Sequence, residues 1–165
     1  IVVLDREVER ALIVVAHPDD VDFWAGGTVA SWTDAGTAVT YCVLSDGDSG
    51  GFDPQVPRSA IPGIRQAEQK AAAAVLGVSD VRFLGYPDGC IEPTYALRRD
   101  ITRQIRRWRP DLIIGQNPLR TPNLYASHRD HRTVGGVALD WPRLPRAAPS
   151  LTRPTMPSCS SQVAW

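Results

Sequence analysis

The stretch "ALIVVAHPDDVDFWAGG", residues 11 to 27, decides the fold. Residues 11 to 16 are a continuous apolar run rich in β-branched side chains, which suits a strand buried on both faces. His17-Pro18 breaks the run, and Asp19-Asp20 follow before a helix can begin. In open parallel sheets, ligands bind at the carboxyl ends of the strands, near the point where strand order reverses. A strand ending in His17, Asp19 and Asp20 would deliver an imidazole and two carboxylates to that edge.

Working outward, "GGTVASWTDAG" (26 to 36) places Val29 and Trp32 at helical spacing and stops at Gly36. Residues 37 to 45, "TAVTYCVLS", predict a second strand; residues 46 to 63 are too rich in Gly, Pro and Asp for regular structure. Residues 64 to 77, "IRQAEQKAAAAVLG", combine strong helix formers with apolar positions at Ile64, Ala67, Ala71, Ala74 and Val75. "VRFLG" (81 to 85) predicts a short third strand. In residues 94 to 108, Leu97, Ile101, Ile105 and Trp108 share one helix face, and most arginines lie on the opposite, solvated one. Pro110 ends that helix and "DLIIG" (111 to 115) predicts a fourth strand. This alternation predicts a single α/β domain: a Rossmann-like, mostly parallel sheet with helices on both faces, joined by right-handed crossovers.

Composition narrows the function. With 165 residues, 43% of them hydrophobic, and no apolar stretch long enough to span a bilayer, the chain suits one soluble domain without membrane contact. The 18 basic residues cancel the 18 acidic ones, which argues against nucleic acid as a partner. Cys42, Cys90 and Cys159 are odd in number and form no C-x-x-C pair, so a reducing, cytoplasmic setting fits best. Charges at Asp5, Arg6, Glu7, Glu9 and Arg10 interrupt any signal-peptide core. "SDGDSGG" (45 to 51) is not G-x-G-x-x-G and carries Asp46 and Asp48, which would repel phosphate.

The chemistry gathers in two clusters. One is His17, Asp19 and Asp20; the other is "SHRDHRTVGG" (127 to 136), with His128 and His131 three apart and Asp130 between them. Taken singly, His-Pro can be a turn, Asp19 or Asp20 a helix cap, and any i, i+3 pair shares a helix face. Together they account for all three histidines of the chain, and imidazole with carboxylate is a ligand set for zinc and related divalent ions.

With "AHPDD", Arg65 and Glu68 of "R-x-x-E", "LGYPDG" (84 to 89) and "SHRDHRTVG", the chain resembles the PIG-L/LmbE family of zinc-dependent N-acetylglucosaminyl deacetylases over residues 10 to 140. The resemblance implies His17, Asp20 and His131 as metal ligands and Asp19 as general base. It implies His128 as the group that stabilises the tetrahedral intermediate, with Asp130 supporting it, and Arg65 and Asp88 as residues that hold the sugar. The cofactor would be Zn2+, with Fe2+ able to take the same ligands, and the partner a small amino-sugar molecule; a homo-oligomer stays open. The implied reaction is hydrolysis of the N-acetyl amide by zinc-bound water. Adjacent Asp19 and Asp20 can divide the work as base and ligand, although adjacency alone does not say which is which. Asp19 or His128 would protonate the leaving amine. The alternative is a non-catalytic or vestigial sugar-binding domain of the same fold.

Residues 1 to 140 would form the deacetylase-like domain and 141 to 165 an irregular Pro/Ser-rich tail. The change of character near Asp140 suggests truncation. On that expectation residues 142 to 165 add no strand to the sheet, the metal site is open on that side, and activity is weak beside full-length relatives.

Overall fold

All residues from Ala11 to Ala16 are buried, so β1 (Arg10–Val15) needs neighbours on both edges and cover on both faces. The computed structural model describes residues 8–51, 53–119 and 128–140, and the backbone of 162–164. β1 pairs in parallel with β2 (Ala38–Ser45) on one side and β4 (Leu112–Gly115) on the other. β2 pairs in parallel with β3 (Asp80–Tyr86), and with β5 (Gln162–Ala164) beyond β4 the order is β3-β2-β1-β4-β5. The chain runs outward from β1 to β3 and returns to β4 on the opposite side of β1. Strand order therefore reverses between the carboxyl ends of β1 and β4, where His17 emerges.

Alternation along β1 feeds two cores. Leu12, Val14 and Ala16 pack with Cys42, Leu44 and Ile113 beneath α4 (Tyr95–Trp108) and α5 (Arg129–Leu139). Ile13 and Val15 pack with Tyr41 and Val43 beneath α1 (Asp20–Trp24), α2 (Gly26–Asp34) and α3 (Ile61–Val75). At about 25 cal/mol per Å² of apolar surface, these two layers are the main stabilising term. In α4, Leu97, Ile101 and Ile105 are buried as the period predicts, and the Thr94 hydroxyl caps the helix by accepting the Leu97 N–H.

Three expectations are corrected. Helix begins at Asp20 rather than Gly26, because the Asp19 carbonyl accepts the N–H groups of Asp22 and Phe23; a break at Ala25 then separates α1 from α2. α3 begins at Ile61, three residues early, after a 3-10 turn at Arg58–Ala60, since Pro62 in a first turn lacks only an N–H the helix would leave unpaired. Its buried stripe is Ile61, Gln69 and Ala73, whereas Ile64 and Val75 are 43% and 85% exposed. Successive alanines give little contrast between faces, so contacts made by Gln69 decide the orientation.

The third correction concerns the chain end. Residues 142 to 165 do add a strand: β5 (Gln162–Ala164) pairs in parallel with β4, Leu112 opposite Gln162 and Ile114 opposite Ala164. The outer edge of β4 carries unpaired backbone groups, and this short segment satisfies part of that edge. Residues 141–161 of the expected tail lie outside the described residues. Among the described residues no helix is long and apolar enough to cross a membrane.

Candidate metal centre

β1 ends one residue before Ala16, whose N–H donates to Gln116 Oε1 beyond β4, so the two loops at the reversal point are tied together. The Asp20 carboxylate folds back to accept the His17 N–H (2.8 Å). Its other oxygen meets His131 Nε2 at 3.0 Å. His131 stands on α5, whose first turn is capped by His128: the His128 Nδ1 accepts the Asp130 N–H.

His17 Nδ1 lies 3.2 Å from His131 Nε2 and 3.6 Å from Asp20 Oδ2. Ligands about 2.1 Å from a tetrahedral ion stand roughly 3.4 Å from one another, so the two ring nitrogens are at a separation that two ligands of one zinc-sized ion would have, with the Asp20 carboxylate beside them. Each ring uses one nitrogen, and Asp20 is 5% exposed, which suits a carboxylate whose partner is a cation. His128 also comes within ligand range of His17 and His131, its ring centroid 4.6 Å from that of His17.

The far nitrogen of His17 is equally engaged. Nε2 is 2.9 Å from Asp88 Oδ1 and 3.3 Å from Asp130 Oδ2. Asp130 is fully buried and also accepts the Gly89 N–H at 2.8 Å. Its carboxylate thus meets His17, while its backbone N–H donates to His128 and its charge also acts on the His128 ring. Asp88 likewise faces His17, while its own N–H is held by Asp48.

Asp19 sits between the centre and α3. Its φ is 99°, and Arg65 Nη2 donates to Asp19 Oδ2 (2.8 Å) and to the Pro18 carbonyl (3.1 Å). Glu68 pairs with the other terminal nitrogen of Arg65. Sequence reasoning missed Gln69, whose Oε1 accepts the Asp19 N–H. A glutamine in an alanine-rich helix carries no local signal of such a contact.

The charges sort by environment. Burial would lower His17, but the hydrogen bond and charge of Asp20, then Asp88 and Asp130, raise it to about 9. Burial would raise Asp20, yet hydrogen bonds from His131 and His17 hold its carboxyl far below the usual range. Burial and the neighbouring Asp20 charge push Asp19 up against the pull of Arg65. Burial and the His17 charge push His128 down. The two adjacent aspartates are thus held on opposite sides of the ordinary carboxyl value.

Residues 12–141 match the family described as GlcNAc-PI de-N-acetylase, PIG-L. The chain belongs to the PIG-L family. Within that family it is 32% identical over 135 residues to a diacetylchitobiose deacetylase of Thermococcus kodakarensis, covering 82% of this chain and 49% of that protein. The PIG-L fold seen here superposes on the N,N′-diacetylchitobiose deacetylase from Pyrococcus horikoshii with a TM-score of 0.76 and 30% identity, over 82% of this chain and 49% of that one. A 4-carboxy-2-hydroxymuconate hydratase from Pseudomonas putida KT2440 gives 0.71 and 25% identity, over 81% and 55%. The chain spans about half the length of the first relatives it matches.

Proposed function

We propose that the chain forms the metal-dependent centre of an N-deacetylase that removes acetyl from an N-acetylglucosamine-type amino sugar or a conjugate of one. The observation that carries this is the convergence of His17 Nδ1, Asp20 and His131 Nε2 beside a half-exposed Asp19 that is not among them. Those three would hold Zn2+, or Fe2+ in the same ligands. Such an ion supplies Lewis acidity for the amide carbonyl.

The remaining steps belong to the chain. Arg65 occupies Asp19 Oδ2, which leaves Oδ1 to accept the proton of an attacking water, and the raised pKa of Asp19 strengthens it as a base near neutrality. His128 accepts a backbone N–H at Nδ1, so its neutral ring carries hydrogen on Nε2. From the exposed rim this Nε2–H can donate to the oxygen on which charge develops, without the ring having to be protonated. A cavity of about 240 Å³ opens beside His128 and His131, with Trp24, Ile114 and Asn117 in its wall, and gives the substrate access. The deacetylases among the relatives support the amide as substrate; the hydratase neighbour shows that the scaffold also carries other chemistry.

The test measures bound metal and acetate release from N-acetylglucosamine glycosides for wild type and Asp19→Asn. Near one divalent ion per chain and acetate release only from the wild type would support the proposal. Equal release from both proteins would reject Asp19 as base. Metal binding without release from either would favour the non-catalytic sugar-binding alternative.

A further inference from the structure

Asp19 has the backbone of a glycine. Its φ of 99° lies in the left-handed region, which residues with a side chain rarely adopt, so the surrounding contacts must hold it there. The N–H of that strained residue points to α3, where Gln69 Oε1 accepts it. Gln69 is 2% exposed, and its Nε2 donates to Asp22 Oδ2 at 3.2 Å. The Asp22 carboxylate can only accept, so it orients the Gln69 amide: a flipped amide would set oxygen against oxygen and leave the Asp19 N–H facing a donor.

Arg65 and Gln69 are one turn apart on α3, one gripping the Asp19 carboxylate and the other its main chain. The two grips do different things. Losing Arg65 would free the carboxylate within its rotamers. Losing the Gln69 acceptor would leave an N–H unpaired in a part-buried site, and the 18–19 peptide would relax by leaving the left-handed conformation. That rotation would move the whole carboxylate, and displacements near 1 Å cost about 10²-fold in rate at a reacting centre.

From this geometry we infer that Gln69 is a positioning residue for Asp19, with Asp22 fixing the direction of its amide. The inference rests on Asp19 acting as base. Gln69 touches neither the metal ligands nor the cavity beside His128, so its loss should lower kcat while leaving metal content and KM near their wild-type values.

The experiment uses the full chain loaded with zinc and methyl N-acetylglucosaminide as probe. Gln69→Met should lower kcat about 10²-fold, with metal content unchanged. Gln69→Glu keeps the acceptor for Asp19 but sets two carboxylates together. Adding Asp22→Asn reverses the pair, since the amide introduced on α1 would donate to the carboxylate introduced on α3, and Q69E/D22N should recover activity to within about fivefold of wild type. A structural role alone would not predict that rescue. Gln69→Met with wild-type kcat would overturn the inference, and so would a folded Q69E/D22N no better than Q69E, an outcome that decides even if Gln69→Met fails to fold. A metal-loaded wild type without turnover would remove Asp19 as base and the role of Gln69 with it. An active wild type equalled by Gln69→Met would remove the role of Gln69 alone.

Discussion

At the scale of single residues, the two nitrogens of His17 face different partners, and each can be tested. Nδ1 belongs with Asp20 and His131, so His17→Ala, Asp20→Ala and His131→Ala should each abolish stoichiometric metal binding, read by metal analysis after dialysis. His128→Ala should keep the metal and lower turnover about 10²–10³-fold, because it removes a donor to the developing charge. The three imidazoles lie close enough for His128 to be a ligand instead. Loss of metal from His128→Ala as complete as from His131→Ala would establish that arrangement. On the Nε2 side, Asp130→Asn should weaken zinc binding about 10–100-fold in a chelator competition, since the fully buried carboxylate fixes the ring that presents Nδ1.

At the scale of elements, α5 lies against the loop after β4 so closely that only glycine fits. A Cβ on Gly135 would stand 1.8 Å from the Gln116 carbonyl oxygen, whereas one on Gly136 would meet nothing nearer than Pro118 Cβ at 3.8 Å. Gly135→Ala should cost about 3 kcal/mol and also weaken metal binding, because α5 carries His131. Gly136→Ala should be neutral or stabilise by up to about 1 kcal/mol, as alanine does in a helix. Urea melts of the pair check both.

β3 and α4 are joined by the Tyr86 hydroxyl, which donates to Asp100 Oδ2 at 2.9 Å. Burial would raise Asp100, but the hydrogen bonds from Tyr86 and Arg99 and the charges of Arg99 and Arg103 hold it below its ordinary value. Burial and the bond to Asp100 push Tyr86 up to about 12. A depressed carboxyl stabilises the fold above its unfolded pKa and loses that contribution as pH falls through the folded one. A raised phenol stabilises below about 10 and loses its contribution as pH climbs toward 12. Tyr86→Phe should therefore cost about 1.5 kcal/mol, evenly across pH 5 to 9, and the gap from wild type should shrink below pH 4. A gap that widened on acidification would contradict the assignment.

At the scale of the whole molecule, two loops separated by more than a hundred residues make one centre, so a bound ion should stabilise the entire domain. Zinc at a hundred times its dissociation constant should add about 2.7 kcal/mol, seen as a rise in Tm that a chelator reverses. Removing residues 161–165 would strip β5 from the outer edge of β4. Self-association by light scattering and a lower Tm should follow, because an unpaired edge of a buried strand invites pairing with another chain.

Local pattern determined much of this protein: the four main strands, the amphipathic face of α4, and the delivery of His17, Asp19 and Asp20 to a sheet edge. Each depends on the period of a few neighbouring residues, and β-branched runs, Gly stops and Pro breaks report that period directly. The family motifs also marked His128, Asp130 and His131 as a group. Only the tertiary structure decided which atoms meet. The His17 ring touches His131 across 114 positions, and Gln69 reaches Asp19 across 50. It also decided that Asp88 and Asp130 hold His17, that α3 buries Gln69 rather than Ile64, and that the last residues pair with β4. Those contacts follow from strand order and helix rotation, which the packing of the whole sheet sets, and a side chain's neighbours at that distance leave no periodic trace in its own stretch of sequence.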